Sequence, residues 1–165
     1  MNIKSQLIHR SFAFVFLFFV ACAWADQAGD AQALDRMFPR STLQIATSDA
    51  RLHPFQIWVA DSEPRRARGL MFVRDLAENH GMLFIYPESQ PISMWMKNTY
   101  IPLDMLFVDA SGHVVKVVEN TTPQSLDTID SGGSVRGVIE LNAGVSSKLH
   151  LRAGSLVIHP AFVNR

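Results

Sequence analysis

Between Leu43 and His159, short runs of β-branched and aromatic residues alternate with turn residues, and this rhythm constrains the fold more than any other feature. The runs are Leu43–Thr47, Pro54–Ala60, Met82–Tyr86, Ile92–Asn98, Leu103–Val108, Val114–Val118, Val135–Leu141 and Ser155–His159. About eight strands at such spacing predict a mostly β domain, an antiparallel sandwich or a partly closed barrel. Two short helices interrupt them. Ser62-Glu63-Pro64 places a capping residue, an acid and a proline where a helix starts, and Gly69 ends it. A second helical turn is expected from about Gly144 to His150.

The 165 residues carry equal numbers of basic and acidic side chains, 15 of each. That balance argues against a nucleic-acid partner, which requires a basic stripe to displace counterions. Charged residues are 18% and hydrophobic residues 48%, the reverse of a disordered composition. The apolar excess is concentrated at the start. Lys4 and Arg10 precede an apolar run from Ser11 to Trp24 that closes on Ala23-Trp24-Ala25. This is the pattern of a signal peptide over residues 1–25, and the run is shorter than the roughly 20 residues of a membrane span. The expected location is therefore periplasmic or secreted. The second reading is a lipoprotein anchored through Cys22, because Phe19-Val20-Ala21-Cys22 is similar to a lipidation box. Membrane contact is expected only through that signal or anchor. Cys22 is the sole cysteine, which excludes an internal disulfide and a thiolate zinc cluster. Residues 26–40 read as a linker or irregular arm, and 41–165 as a single β domain.

Ile92–Asn98 and Leu103–Val108 flank Thr99-Tyr100-Ile101-Pro102, a normal loop length for a hairpin. In that register Lys97 opposes Asp104 and Met96 opposes Met105. Strand alternation then puts Met94, Met96, Met105 and Phe107 on one face, and Trp95, Lys97, Asp104 and Leu106 on the other. The second face joins an aromatic ring to an ion pair, a combination suited to stacking and orienting a small ligand.

Several segments in order resemble one family: Arg68-Gly69-Leu70-Met71-Phe72, Gly81-Met82-Leu83-Phe84, Met94-Trp95-Met96-Lys97-Asn98-Thr99, and Ile101-Pro102-Leu103-Asp104. Gly112, Val138-Ile139-Glu140-Leu141-Asn142-Ala143-Gly144 and the Gly154 turn continue the match. The chain is similar to the domain-of-unknown-function 192 family over about Leu43 to Pro160. The resemblance implies a small β fold of jelly-roll-like type, and it supplies no reaction or ligand. Ile129-Asp130-Ser131-Gly132-Gly133 departs from the pattern of many relatives, which carry a Tyr and a Pro-Ala pair there, and reads as a flexible loop.

The candidate ligand-binding residues are Trp95, Lys97, Asn98 and Asp104, joined by Arg68 and Glu140 because both sit in the matching motifs. The expected function is an accessory or ligand-binding module of the cell envelope, taking a small polar or carbohydrate-like ligand. A first rival is an envelope enzyme acting through Asp104, Glu140 and Lys97. A second is Cu(I) handling by Met94, Met96 and Met105, since thioethers are soft ligands; core filling is the commoner use of methionine. The binding module is preferred to the enzyme. Past the signal segment there is no cysteine, no Gly-x-Ser-x-Gly elbow and no His-x-His or His-Glu-x-x-His pattern. No metal and no cofactor are expected. Arg65, Arg66, Arg68 and Arg74 offer a docking patch for an acidic partner or lipid headgroups, but with Glu63, Asp75 and Glu78 close by a solvated charged face is the preferred reading.

Overall fold

A computed structural model describes residues 29–162. The expected signal peptide over 1–25, including Cys22, lies outside the described residues. Seven strands form one sheet: β1 (Arg40–Ala46), β2 (Leu52–Ala60), β3 (His80–Met94), β4 (Leu103–Val108), β5 (Val114–Val118), β6 (Ile129–Asn142) and β7 (Leu156–Ile158). Their order across the sheet is β5-β4-β6-β3-β2-β1-β7. The sheet curls until its two edge strands meet at one end, where His113 bridges Leu156. Val114 N–H donates to Ser155 O at 2.9 Å and Val157 N–H to Gly112 O at 2.8 Å. The result is a half-barrel, the partly closed form of the two expected. Meeting edges leave fewer unpaired backbone groups exposed to other chains.

One pair departs from the antiparallel expectation: β2 and β3 run parallel, with Trp58 opposite Met82. A parallel pair needs a crossover, and residues 61–79 provide it. The crossover contains helix α2 (Glu63–Arg68), which Ser62 precedes and Gly69 ends. Ser62 stands at the N-cap position but its hydroxyl makes no capping bond. Gly69 has φ +45°, and a Cβ there would meet the Phe84 ring at 3.1 Å, so the helix stops where the chain touches the sheet. Helix α3 (Val145–Leu149) occupies the second expected position. Residues 29–37, within the stretch read as an arm, form a further helix, α1. It is docked rather than loose: Leu34 and Phe38 are buried, and Trp58 Nε1 donates to Asp35 at 2.8 Å.

Both faces of the sheet are covered, which gives two apolar cores. The inner core, within the curl, is built from residues such as Ile45, Ile57, Leu83, Leu106, Ile139 and Val157. The outer core lies under α1 and the crossover and holds Trp58, Leu70, Met82, Phe84, Met96, Met105 and Phe107. All six residues of β4 are buried. Burial on both faces erases the apolar–polar alternation that tells an outward side from an inward one.

The expected hairpin is not formed. β4 pairs with β5 and β6, and β3 ends at Met94, so Trp95–Asn98 is not a strand opposite β4. Met82–Tyr86 and the start of Ile92–Asn98 are parts of one long strand, bulged between Ile85 and Gln90 and again between Pro91 and Ser93. Ile129–Gly133 is strand rather than flexible loop. It opens β6, and the Ser131 hydroxyl accepts the Ile92 N–H at 3.0 Å and donates to Gly133 O at 2.6 Å.

Candidate functional site

A cleft of about 210 Å³ opens on the outer side of the sheet. Its roof is the end of α2 and the turn after it, Arg66 to Met71; its side is Ser93, Met94, Trp95, Lys97 and Thr99; its base holds Phe84, Tyr86 and Glu140. Four of the six expected site residues, Arg68, Trp95, Lys97 and Glu140, therefore converge on one space.

Glu140 lies between Met82 of β3 and Met105 of β4, and is only 4% exposed. Thioether neighbours cannot replace the water a carboxylate loses on burial. Its Oε2 has no hydrogen-bond partner. Desolvation accordingly pushes its pKa up to about 8. At neutral pH the group is mainly a neutral acid, able to donate one hydrogen bond and accept others.

The roof is cationic. Arg68 stacks 5.0 Å from the centroid of Phe72 and donates to the carbonyls of Gly69 and Met71. Partial burial draws its pKa down, against the pull of Asp30. Arg66 donates to Ile85 O at 2.9 Å and lies 5.1 Å from the centroid of Tyr86. Burial raises the Tyr86 pKa, which the Arg66 charge opposes, and its hydroxyl points to Met94 Sδ at 3.8 Å. On the side wall Trp95 is 49% exposed, and Lys97 Nζ lies 5.1 Å from its ring centroid. An open ring with polar and charged groups around it offers a stacking surface and fixed hydrogen-bond directions.

Two expected site residues have other work. Asp104 is opposite Leu141 of β6, whereas Glu140 is opposite Met105, so the two carboxyls project from opposite faces of the sheet. Asp104 is fully buried on the inner side, where it accepts the N–H of Asn120 at 2.9 Å and of Ser146 at 2.8 Å. The ion pairs among the described residues include neither Lys97 nor Asp104. The expected Lys97–Asp104 pair depended on the hairpin register and is absent with it. Asn98 lies beside the cleft without lining it. Its φ is +56°, its carbonyl accepts Phe72 N–H at 2.9 Å, and its amide contacts Met71 Sδ at 3.9 Å. It shapes the turn that carries Lys97.

Sequence reasoning missed Arg66 and Tyr86. The basic run as a whole reads as a solvated face, and that description suits Arg65, which pairs with Asp61 at 2.7 Å. A helix turns neighbouring residues in different directions, so one basic run serves both solvent and cleft. Of the methionines proposed for Cu(I), Met96 and Met105 are buried in the outer core, and the Thr121 hydroxyl contacts Met96 Sδ at 3.2 Å. No cluster of three His, Cys, Asp or Glu that could hold a metal occurs among the described residues.

Fold and cleft together define a small half-barrel protein with a cationic, aromatic-walled pocket over one buried acid. The family described as DUF192, Uncharacterized ACR, matches residues 44–159, and the chain belongs to that family. Two solved structures are similar. A Sinorhizobium meliloti 1021 protein described provisionally as a transcription regulator is 38% identical, with a TM-score of 0.74 over 75% of this chain and 96% of that one. A protein of unknown function from Novosphingobium aromaticivorans DSM 12444 is 28% identical, with a TM-score of 0.70 over 73% and 85% of the two chains. No curated protein matches the chain.

Proposed function

We propose that the protein is an exported, ligand-binding module of the cell envelope that holds a small polar, carbohydrate-like molecule in the outer cleft. The observation that carries this reading is the unpartnered Glu140 Oε2 at the base of a cleft that also gathers Trp95, Lys97 and Arg68. A buried polar atom without a partner costs about 1–3 kcal/mol, and a hydroxyl-bearing ligand removes that cost on binding. Trp95 supplies the stacking surface that a sugar ring uses. The volume suits one ring.

Among the described residues Glu140 is the only acid lining the cleft, with Asp104 across the sheet. Glycoside hydrolysis ordinarily requires two carboxyls flanking the bond, so binding is favoured over turnover. The description of the Sinorhizobium protein would suggest a nucleic-acid partner; a chain with no net charge and a cleft of this size favour a small molecule. The test is calorimetric titration and thermal shift with a panel of monosaccharides on wild type and Trp95→Ala. The wild type should show saturable binding that Trp95→Ala weakens at least about tenfold, the equivalent of about 1.4 kcal/mol. Equal responses from the two proteins would refute the reading.

A further inference from the structure

Charge is distributed unevenly around the cleft. Among the described residues Arg66, Arg68 and Lys97 line it, with Glu140 the only acid. The ion pairs among the described residues engage Arg40, Arg51, Arg65 and Lys148, and none of the three cleft cations. Arg66 and Arg68 donate to backbone carbonyls of Ile85, Gly69 and Met71. A guanidinium has five N–H donors, and those contacts leave donors on both residues unspent. Arg68 is stacked on Phe72, Arg66 on Tyr86 and Lys97 on Trp95. Each cation is thereby held by a ring and engaged in no ion pair, with Asp30 acting on Arg68 only from beyond ion-pair distance.

Three cations outside any ion pair, one exposed indole and a single buried carboxyl form a selective set. A neutral sugar would leave the cations without a partner. A free inorganic anion would leave Trp95 and Glu140 unused. We infer that the ligand of the cleft is a ring compound bearing one anionic group, a carboxylate or a phosphate, with the anion held by Arg66, Arg68 and Lys97 and a ring hydroxyl bonded to Glu140. This rests on the binding reading above and narrows its ligand class. Planar guanidinium groups suit both oxyanions, because each can meet two oxygens at once.

The experiment is calorimetric titration of the full chain with glucuronate, glucose-6-phosphate, glucose and inorganic phosphate. Glucuronate or glucose-6-phosphate should bind at least about tenfold tighter than glucose, each tenfold being about 1.4 kcal/mol. The tighter of the two identifies carboxylate or phosphate as the anion. Lys97 is exposed, so Lys97→Gln should keep the fold and reduce the ratio of anionic to neutral affinity several-fold. Glucose binding as tightly as both anionic sugars overturns the inference and leaves the binding reading standing. Inorganic phosphate binding as tightly as the ring compounds, or a ratio unmoved by Lys97→Gln, overturns it as well. Absence of binding by every probe removes the binding reading and this inference together.

Discussion

Asp104 and Glu140 occupy adjacent strands one register step apart, are both buried, and have opposite fates. Asp104 faces the inner core and accepts two backbone N–H groups, from Asn120 and Ser146. It joins β4 to the chain after β5 and to α3. Glu140 faces the outer core between two methionines, with an oxygen that nothing satisfies. A carboxyl held by backbone donors stabilises the fold, whereas one left unpaired in an apolar wall weakens it. The unpaired one lines the cleft. The difference separates a carboxyl that braces the fold from the one we propose to meet a ligand, within a single strand pair.

The comparison can be broken most decisively at Asp104. Asp104→Ala leaves the buried N–H of Ser146 and the part-buried N–H of Asn120 without their acceptor and should destabilise by about 3–4 kcal/mol, measured by urea unfolding; a loss under about 1 kcal/mol would mean the two acids do not differ in kind. Glu140→Gln should act in the opposite direction. A carboxyl with its pKa raised from 4.5 to about 8 in the fold binds its proton more tightly folded than unfolded. Wild-type stability should therefore fall as pH rises from about 5 to above 8, by an amount on the order of 4 kcal/mol. Glu140→Gln should abolish most of that fall and be the more stable protein at pH 9. Thermal unfolding of both proteins across pH 5–9 checks the sign.

Two smaller effects sharpen the division between scaffold and cleft. Asn98→Ala forces a Cβ-branched-free but non-Asn residue to hold φ near +56°, and should cost about 1 kcal/mol, read as a lowered urea midpoint. Trp95→Ala should change the unfolding free energy by less than about 0.5 kcal/mol, as surface substitutions usually do, while weakening ligand binding. A larger stability loss would place Trp95 in the scaffold.

The strands were legible because β-branched runs between turn residues leave a strong local signal, and β1, β2, β4, β5 and β7 lie close to their expected positions. α2 was legible from Glu63-Pro64 and Gly69 at its ends. The pairing of Ile92–Asn98 with Leu103–Val108 was misread because proximity in sequence favours a hairpin, yet β4 lies between β5 and β6. With both faces of β4 buried, no polar alternation marked which side held Asp104. Glu140 did leave a trace, as a lone acid in the apolar run Val135–Leu141. Arg68 entered the site only through the family motif. Arg66 stood out only as one of a basic run and Tyr86 not at all, since their convergence depends on how the crossover folds back over β3.

That crossover, residues 61–79, is required by the parallel β2–β3 pair, and it is also the cleft's roof. The strand register that holds the half-barrel together passes through none of its residues. Arg68 to Phe72, within the crossover, is one of the segments shared with the family, and Leu70, Val73 and Leu76 bury themselves in the outer core. The connection that allows the parallel pair and the wall above the cleft are therefore inherited as one piece.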